Sequence, residues 1–122
     1  MADINDIDPS GFETYQGIAR STAIYPGAGE GKVEGLMYAT LGLVGEAGEI
    51  ANKVKKIYRD GLGEITPDDA LRLRAELGDV LWYVSAVASE LGISLGNVAV
   101  HNSEKLLDRK GRGVLGGSGD NR

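Results

Sequence analysis

Apolar residues recur every three or four positions in four stretches of the chain and nowhere alternate at the two-residue period of a strand. This pattern predicts an all-α fold, a four-helix bundle. In the first stretch Phe12, Tyr15, Ile18 and Ala19 repeat at helical spacing. They predict a helix from Gly11 to Thr22, capped by Ser10, with Gln16 and Arg20 on a neighbouring face. In the second, Leu36, Leu43, Ala47, Ile50, Val54 and Ile57 fall on one stripe at ~100° per residue, predicting a helix from Val33 to Tyr58. In the third, Leu73, Leu77, Val80, Val84, Val87 and Leu91 predict a core helix. It opens with Thr66 as N-cap and Pro67 at the first helical position, and closes near Leu91 with Gly92 as the residue after the cap. Ser94 then caps a fourth helix running from Leu95 to about Lys110. Breakers separate these stretches. Residues 25–31 hold a proline and three glycines and form a connector, because they lack the G-x-x-x-x-G-K-[ST] order of a phosphate loop. Asp60-Gly61-Leu62-Gly63 is a turn. The apolar stripes are wide enough to require partners beyond one bundle, so an oligomer is expected.

The polar positions beside those stripes carry the candidate chemistry. Glu46, Glu49, Lys53 and Lys56 share a stripe next to the apolar face of the second helix, and Glu76 and Asp79 lie in the same relation to the third. A charged stripe on a lone helix is ordinarily a solvated face. Two features count against that here. A short connection makes the second and third helices antiparallel neighbours, which can bring the two acidic pairs together. Gly42, Gly45 and Gly48 also cost about 1 kcal/mol each inside a helix, which points to close approach by backbone or ligand. Converging carboxylates repel one another and take up protons unless a cation joins them, and Mg²⁺ or Mn²⁺ suits hard oxygen donors. The set holds no Cys or His for zinc, and no paired Glu-x-x-His for a di-iron centre. On the fourth helix Asn102, Lys105 and Arg109 project along one side, a cationic stripe that would also suit a helix C-terminus by itself. Trp82 and Tyr83 fit either the core or stacking on a base. His101, the single histidine, reads as an ordinary helical residue.

Composition narrows the function classes. The chain has 122 residues with 42% hydrophobic content, enough for one domain, expected over residues 1–110. Residues 111–122 read as a flexible Gly-rich C-terminal tail, and the acidic residues 1–10 as a mobile lead-in. There is no cysteine, so neither a disulfide nor a thiolate metal site exists, and a cytoplasmic setting fits. No apolar run approaches the ~20 residues of a membrane span, and the acidic N-terminus lacks the features of a leader, so no membrane partner is expected. The net charge of −5 disfavours a nucleic-acid polymer as partner, and an anionic ligand then needs a bound cation or a local cationic patch.

Gly42-Leu43-Val44-Gly45-Glu46-Ala47-Gly48-Glu49-Ile50, then Lys53 and Lys56, then Glu76-Leu77-Gly78-Asp79-Val80-Leu81-Trp82-Tyr83 resemble the E-E-x-x-E and E-x-x-D pattern of MazG-like nucleoside triphosphate pyrophosphohydrolases. The resemblance extends through Asn102, Lys105 and Arg109 and covers most of the chain from Tyr15 onward. Gly45 stands where many members carry the first Glu. The short single-domain length is also similar to the phage-type members called MazZ, which act on dGTP and GTP.

The resemblance implies a homodimer or homotetramer that hydrolyses a nucleoside triphosphate to the monophosphate and pyrophosphate. Mg²⁺ or Mn²⁺ would be held by Glu46, Glu49, Glu76 and Asp79, with Glu49 the preferred general base and Glu46 beside it. Lys53, Asn102, Lys105 and Arg109 would hold phosphates. Tyr15, Gln16 and Trp82 are candidates for the base, with ordinary packing as their alternative. The best substrate expectation is dGTP or GTP. The alternatives are an all-α dUTP or dCTP hydrolase, and a non-catalytic helical oligomer with a structural divalent-ion site.

Overall fold

The computed structural model describes residues 9–120 and is all-helical. Four helices follow one another: α1 (Pro9–Ser21), α2 (Val33–Asp60), α3 (Pro67–Glu90) and α4 (Leu95–Gly111). The expected lead-in at residues 1–8, and the last two residues of the tail, lie outside the described residues. Ser10 falls within α1 and not at its cap, because the helix already starts at Pro9.

Local chemistry sets the ends of α3 and α4. The Thr66 hydroxyl accepts a hydrogen bond from the Asp69 amide and the Asp69 carboxylate accepts one from the Thr66 amide, a reciprocal cap that satisfies two otherwise orphaned donors. At the other end of α3, Gly92 adopts φ 68°, so that the Ile93 amide reaches the Ala88 carbonyl (2.9 Å) and the Gly92 amide reaches Ser89 (3.1 Å). That paired closure needs a left-handed residue, which glycine supplies without steric cost. Ser94 accepts from the Asn97 amide and starts α4 at once, at a bend of 102° from α3.

α2 and α3 form an antiparallel hairpin. Gly42 meets Tyr83, Glu46 meets Asp79 and Lys53 meets Glu76, advancing along one helix while retreating along the other. α1 packs on α3 and α4, so α3 is shared by both pairs, while among the described residues α2 packs on no helix but α3. This asymmetry redraws the expected core. Leu36, Leu43, Ile50 and Ile57 of α2 are only half-buried, Ala47 and Val54 are exposed, and on α3 Leu77 is 58% and Leu91 53% exposed. The tightest packing lies elsewhere. Tyr25 folds down from the connector onto Ala39 and Ala86, with Ala23, Ala28, Trp82, Tyr83 and Val87 around them. Small residues on α2 and α3 leave room there for a ring brought in by the loop.

Glu90, at the last turn of α3, holds that loop in place. Its Oε1 accepts from the Tyr25 hydroxyl (2.6 Å) and the Gly29 amide (2.6 Å), and its Oε2 from the Gly31 amide (3.2 Å). Burial alone would push the carboxyl up, but these three donors outweigh it and hold it below its ordinary value. The connector expected between α1 and α2 is therefore a structured loop fixed by one buried carboxylate.

Candidate metal and nucleotide site

Midway along the hairpin, one oxygen from each of Glu46, Glu76 and Asp79 lies within 4.8 Å of the other two. The i, i+3 spacing puts Glu76 and Asp79 on one face of α3, and antiparallel pairing sets Glu46 opposite them. The crowding is visible in the protonation of Glu46. Its carboxyl is pushed up by desolvation first, then by the charges of Asp79, Glu76 and Glu49 and a hydrogen bond shared with Glu76. Three converging carboxylates without soft donors fit a hard divalent cation in this cleft. Glu49, expected among the ligands, is exposed and stands outside this group, near enough to repel Glu46 without converging with it.

On one side of the acids sits Lys53, whose Nζ is 2.7 Å from Glu76 Oε1. Beyond it, toward the closed end of the hairpin, the groove widens into a cavity of about 430 Å³. On the other side the groove becomes aromatic. A Cβ at Gly42 would overlap the Tyr83 ring, so of Gly42, Gly45 and Gly48 this one has a close-approach reason, whereas Gly45 and Gly48 face open space. Tyr83 meets Trp82 edge-on at 5.0 Å, Trp82 meets Tyr25 at 6.1 Å, and Tyr25 stacks on Tyr38 at 5.0 Å. The Tyr83 phenol is pushed up by burial, then by Tyr38, Glu46 and Asp79, which places it beside the acids.

The base candidates separate. Tyr15 of α1 is near the acids, its phenol pushed up by burial and then by Asp79. Trp82 donates through Nε1 to Thr22 Oγ1 at 2.8 Å and forms part of the aromatic cluster. Gln16 is committed elsewhere: Nε2 donates to Ser89 Oγ (3.1 Å) and the Ile93 carbonyl (3.0 Å), and Oε1 accepts from the Leu95 amide (2.8 Å). It fastens α1 to the α3–α4 junction. Nor are Asn102, Lys105 and Arg109 brought to the acids within one chain: α4 turns away from α3 at a bend of 102°, and among the described residues it does not pack on α2. Arg109 is buried and donates to the Asp120 carbonyl at 3.2 Å, and Lys105 Nζ lies 3.9 Å from the Asp120 carboxylate, so the tail runs back along α4.

Arg72 and Glu90 were missed as candidates by sequence reasoning, whereas Tyr83 reads there as fitting either the core or a base. Arg72 had a usable signal, since it lies four residues before Glu76 on the same face of α3.

Residues 37–113 match the model of the MazG nucleotide pyrophosphohydrolase domain. The chain is also 59% identical over 111 residues to the Gene 37 protein of Mycobacterium phage L5, covering 90% of this chain and 97% of that protein. No solved structure matches it.

Proposed function

The chain belongs to the MazG nucleotide pyrophosphohydrolase family, and from that premise we propose that it hydrolyses dGTP or GTP to the monophosphate and pyrophosphate. The observation that carries this reading is the convergence of Glu46, Glu76 and Asp79 beside Lys53 in a groove open along its length. These three carboxylates would hold Mg²⁺ or Mn²⁺, which when bound supplies charge neutralisation for the polyphosphate and a more acidic water. Glu49, outside that trio, is the carboxylate left to accept the water's proton. The water oxygen ends on phosphorus, the bond between the α and β phosphates breaks, and pyrophosphate departs. Lys53 contacts the phosphates as a point charge. Tyr15, Tyr83 and Trp82 offer ring faces to the base.

The guanine assignment rests on resemblance to the short phage type, in keeping with the phage origin of the 59%-identical relative. Asn102, Lys105 and Arg109 would reach phosphates only from a second copy, which fits the uncovered apolar face of α2. Met37, Leu41, Val44 and Tyr58 are all exposed there. A homodimer or homotetramer is the assembly proposed. No single helix among the described residues is long and apolar enough to cross a membrane, and a cytoplasmic enzyme is proposed. Residues 1–110 would form the domain, with the Gly-rich tail following.

Incubation with each nucleoside and deoxynucleoside triphosphate, with Mg²⁺ or Mn²⁺, tests the reading by release of monophosphate and pyrophosphate. Purine turnover led by dGTP is expected. Turnover confined to dUTP or dCTP moves the chain to the pyrimidine-specific alternative, and no release from any nucleotide overturns the enzymatic reading.

A further inference from the structure

Between the last turns of α2 and the first turns of α3, the cavity of about 430 Å³ is lined by Lys53, Lys56, Asp60, Asp69, Arg72 and Leu73, and by none of the three converging acids. Ligand sites occupy roughly 300–1,000 Å³, so it has room for a small anion with its counter-ion. Two of its acidic groups are already engaged. Asp69 accepts from the Thr66 amide at 2.9 Å and from Arg72 Nη2 at 2.8 Å, Arg72 Nη1 also lies 3.4 Å from Asp68, and Asp60 holds Arg59 through both oxygens at 2.8 and 2.9 Å. Lys56 forms no hydrogen bond or ion pair among the described residues, although its charge helps to lower the Asp60 carboxyl after the larger effect of Arg59. The start of α3 adds the positive end of its helix dipole.

The groove therefore has a direction. Lys53, Lys56 and Arg72 lie at the closed end together with Asp60 and Asp69, which arginines already pair, the three converging carboxylates lie in the middle, and the rings of Tyr83, Trp82 and Tyr38 at the far end. Arg72 precedes Glu76 by four residues, ~6 Å along α3, and Lys56 follows Lys53 by three, ~4.5 Å along α2. Those steps match the length of two linked phosphate groups running away from the acids. Resting on the proposed pyrophosphohydrolase reading, we propose that this cavity is the pyrophosphate subsite. Lys56 and Arg72 hold the β and γ phosphates of the substrate, and then the pyrophosphate that leaves, while the nucleoside extends toward Tyr83. Hydrolysis adds one water across the α–β anhydride, and the charge of the departing pyrophosphate develops against Lys53, Lys56 and the guanidinium of Arg72.

Calorimetric titration of inorganic pyrophosphate in the presence of Mg²⁺ tests this with wild type, Lys56→Gln and Arg72→Gln. A parallel titration uses dGMP, and melting curves establish that the variants fold. Each substitution is expected to weaken pyrophosphate binding about tenfold, the scale of one charge-assisted contact, while dGMP binding stays unchanged. Lys56→Gln removes no intrachain bond, so its effect cannot come from a loosened helix start. No pyrophosphate binding by wild type, equal binding by all three proteins, or a loss confined to dGMP overturns the proposal. Nucleotide hydrolysis with equal pyrophosphate binding sinks this subsite and leaves the enzymatic reading standing. Tenfold-weakened pyrophosphate binding in a protein that hydrolyses no nucleotide keeps the subsite and removes the enzymatic reading.

Discussion

Replacing Glu90 by glutamine tests the account of how the connector is held. The wild-type carboxylate is 5% exposed and accepts three hydrogen bonds on two oxygens. Glutamine keeps the shape but offers one carbonyl oxygen and an amide. With the carbonyl left to Tyr25 and Gly29, the new NH₂ faces the Gly31 amide, donor against donor. The Gly31 amide, in an exposed part of the loop, then loses a charge-assisted partner at about 1 kcal/mol, and two further charge-assisted bonds become neutral ones at about 1 kcal/mol each. Allowing for local adjustment, the total is roughly 3 kcal/mol, a large share of the ~5–15 kcal/mol that holds a domain of this size. A drop in Tm of roughly 10 °C follows. Tyr25→Phe removes only one of the three bonds and should cost about 1–2 kcal/mol. Because the Glu90 carboxyl titrates below its ordinary value when folded, its contribution is present above the unfolded carboxyl range. It is lost as pH falls through the folded value. The Tm difference between wild type and Glu90→Gln should therefore shrink on acidification. Thermal melts followed by circular dichroism across neutral and acidic pH measure both effects. A Glu90→Gln protein that melts with wild type at neutral pH, or a difference that grows in acid, refutes the reasoning.

Gly42→Ala should lower stability by roughly 1–3 kcal/mol in urea titrations, because the added methyl meets the Tyr83 ring. Gly45→Ala, which meets nothing, should raise stability by up to about 1 kcal/mol, and the same sign for both would contradict the packing described. Ser85 is fully buried and its hydroxyl has no hydrogen-bond partner among the described residues, so Ser85→Ala should stabilise by about 1 kcal/mol; a loss of stability would show that the hydroxyl has a partner. Glu46→Gln relieves repulsion among the acids, so without metal the variant should melt above wild type, while Mg²⁺ should raise its Tm less and turnover should fall by orders of magnitude. Wild-type turnover in a folded Glu46→Gln protein would remove Glu46 from the site.

The sequence by itself determined the local elements, because their signals lie within a turn or two of the residues they control. The helical period of the apolar positions placed four helices to within one or two residues at their ends. Thr66, Pro67, Ser94 and Gly92 marked boundaries through bonds to their own neighbours. Spacing likewise put Glu76 and Asp79 on one face. Which faces meet depends on where helices cross, and only the tertiary structure decided that. Among the described residues α2 packs on α3 and no other helix, so the leucine stripes are half covered, and the core forms where Tyr25 enters from a loop read from the sequence only as a connector. The same arrangement gathered Glu46 with Glu76 and Asp79 but left Glu49 aside, took Gln16 into a helix junction, and held Asn102, Lys105 and Arg109 apart from the acids. It also left a cavity at the hairpin's closed end that Lys56 and Arg72 both line, residues sixteen positions apart that no local pattern links.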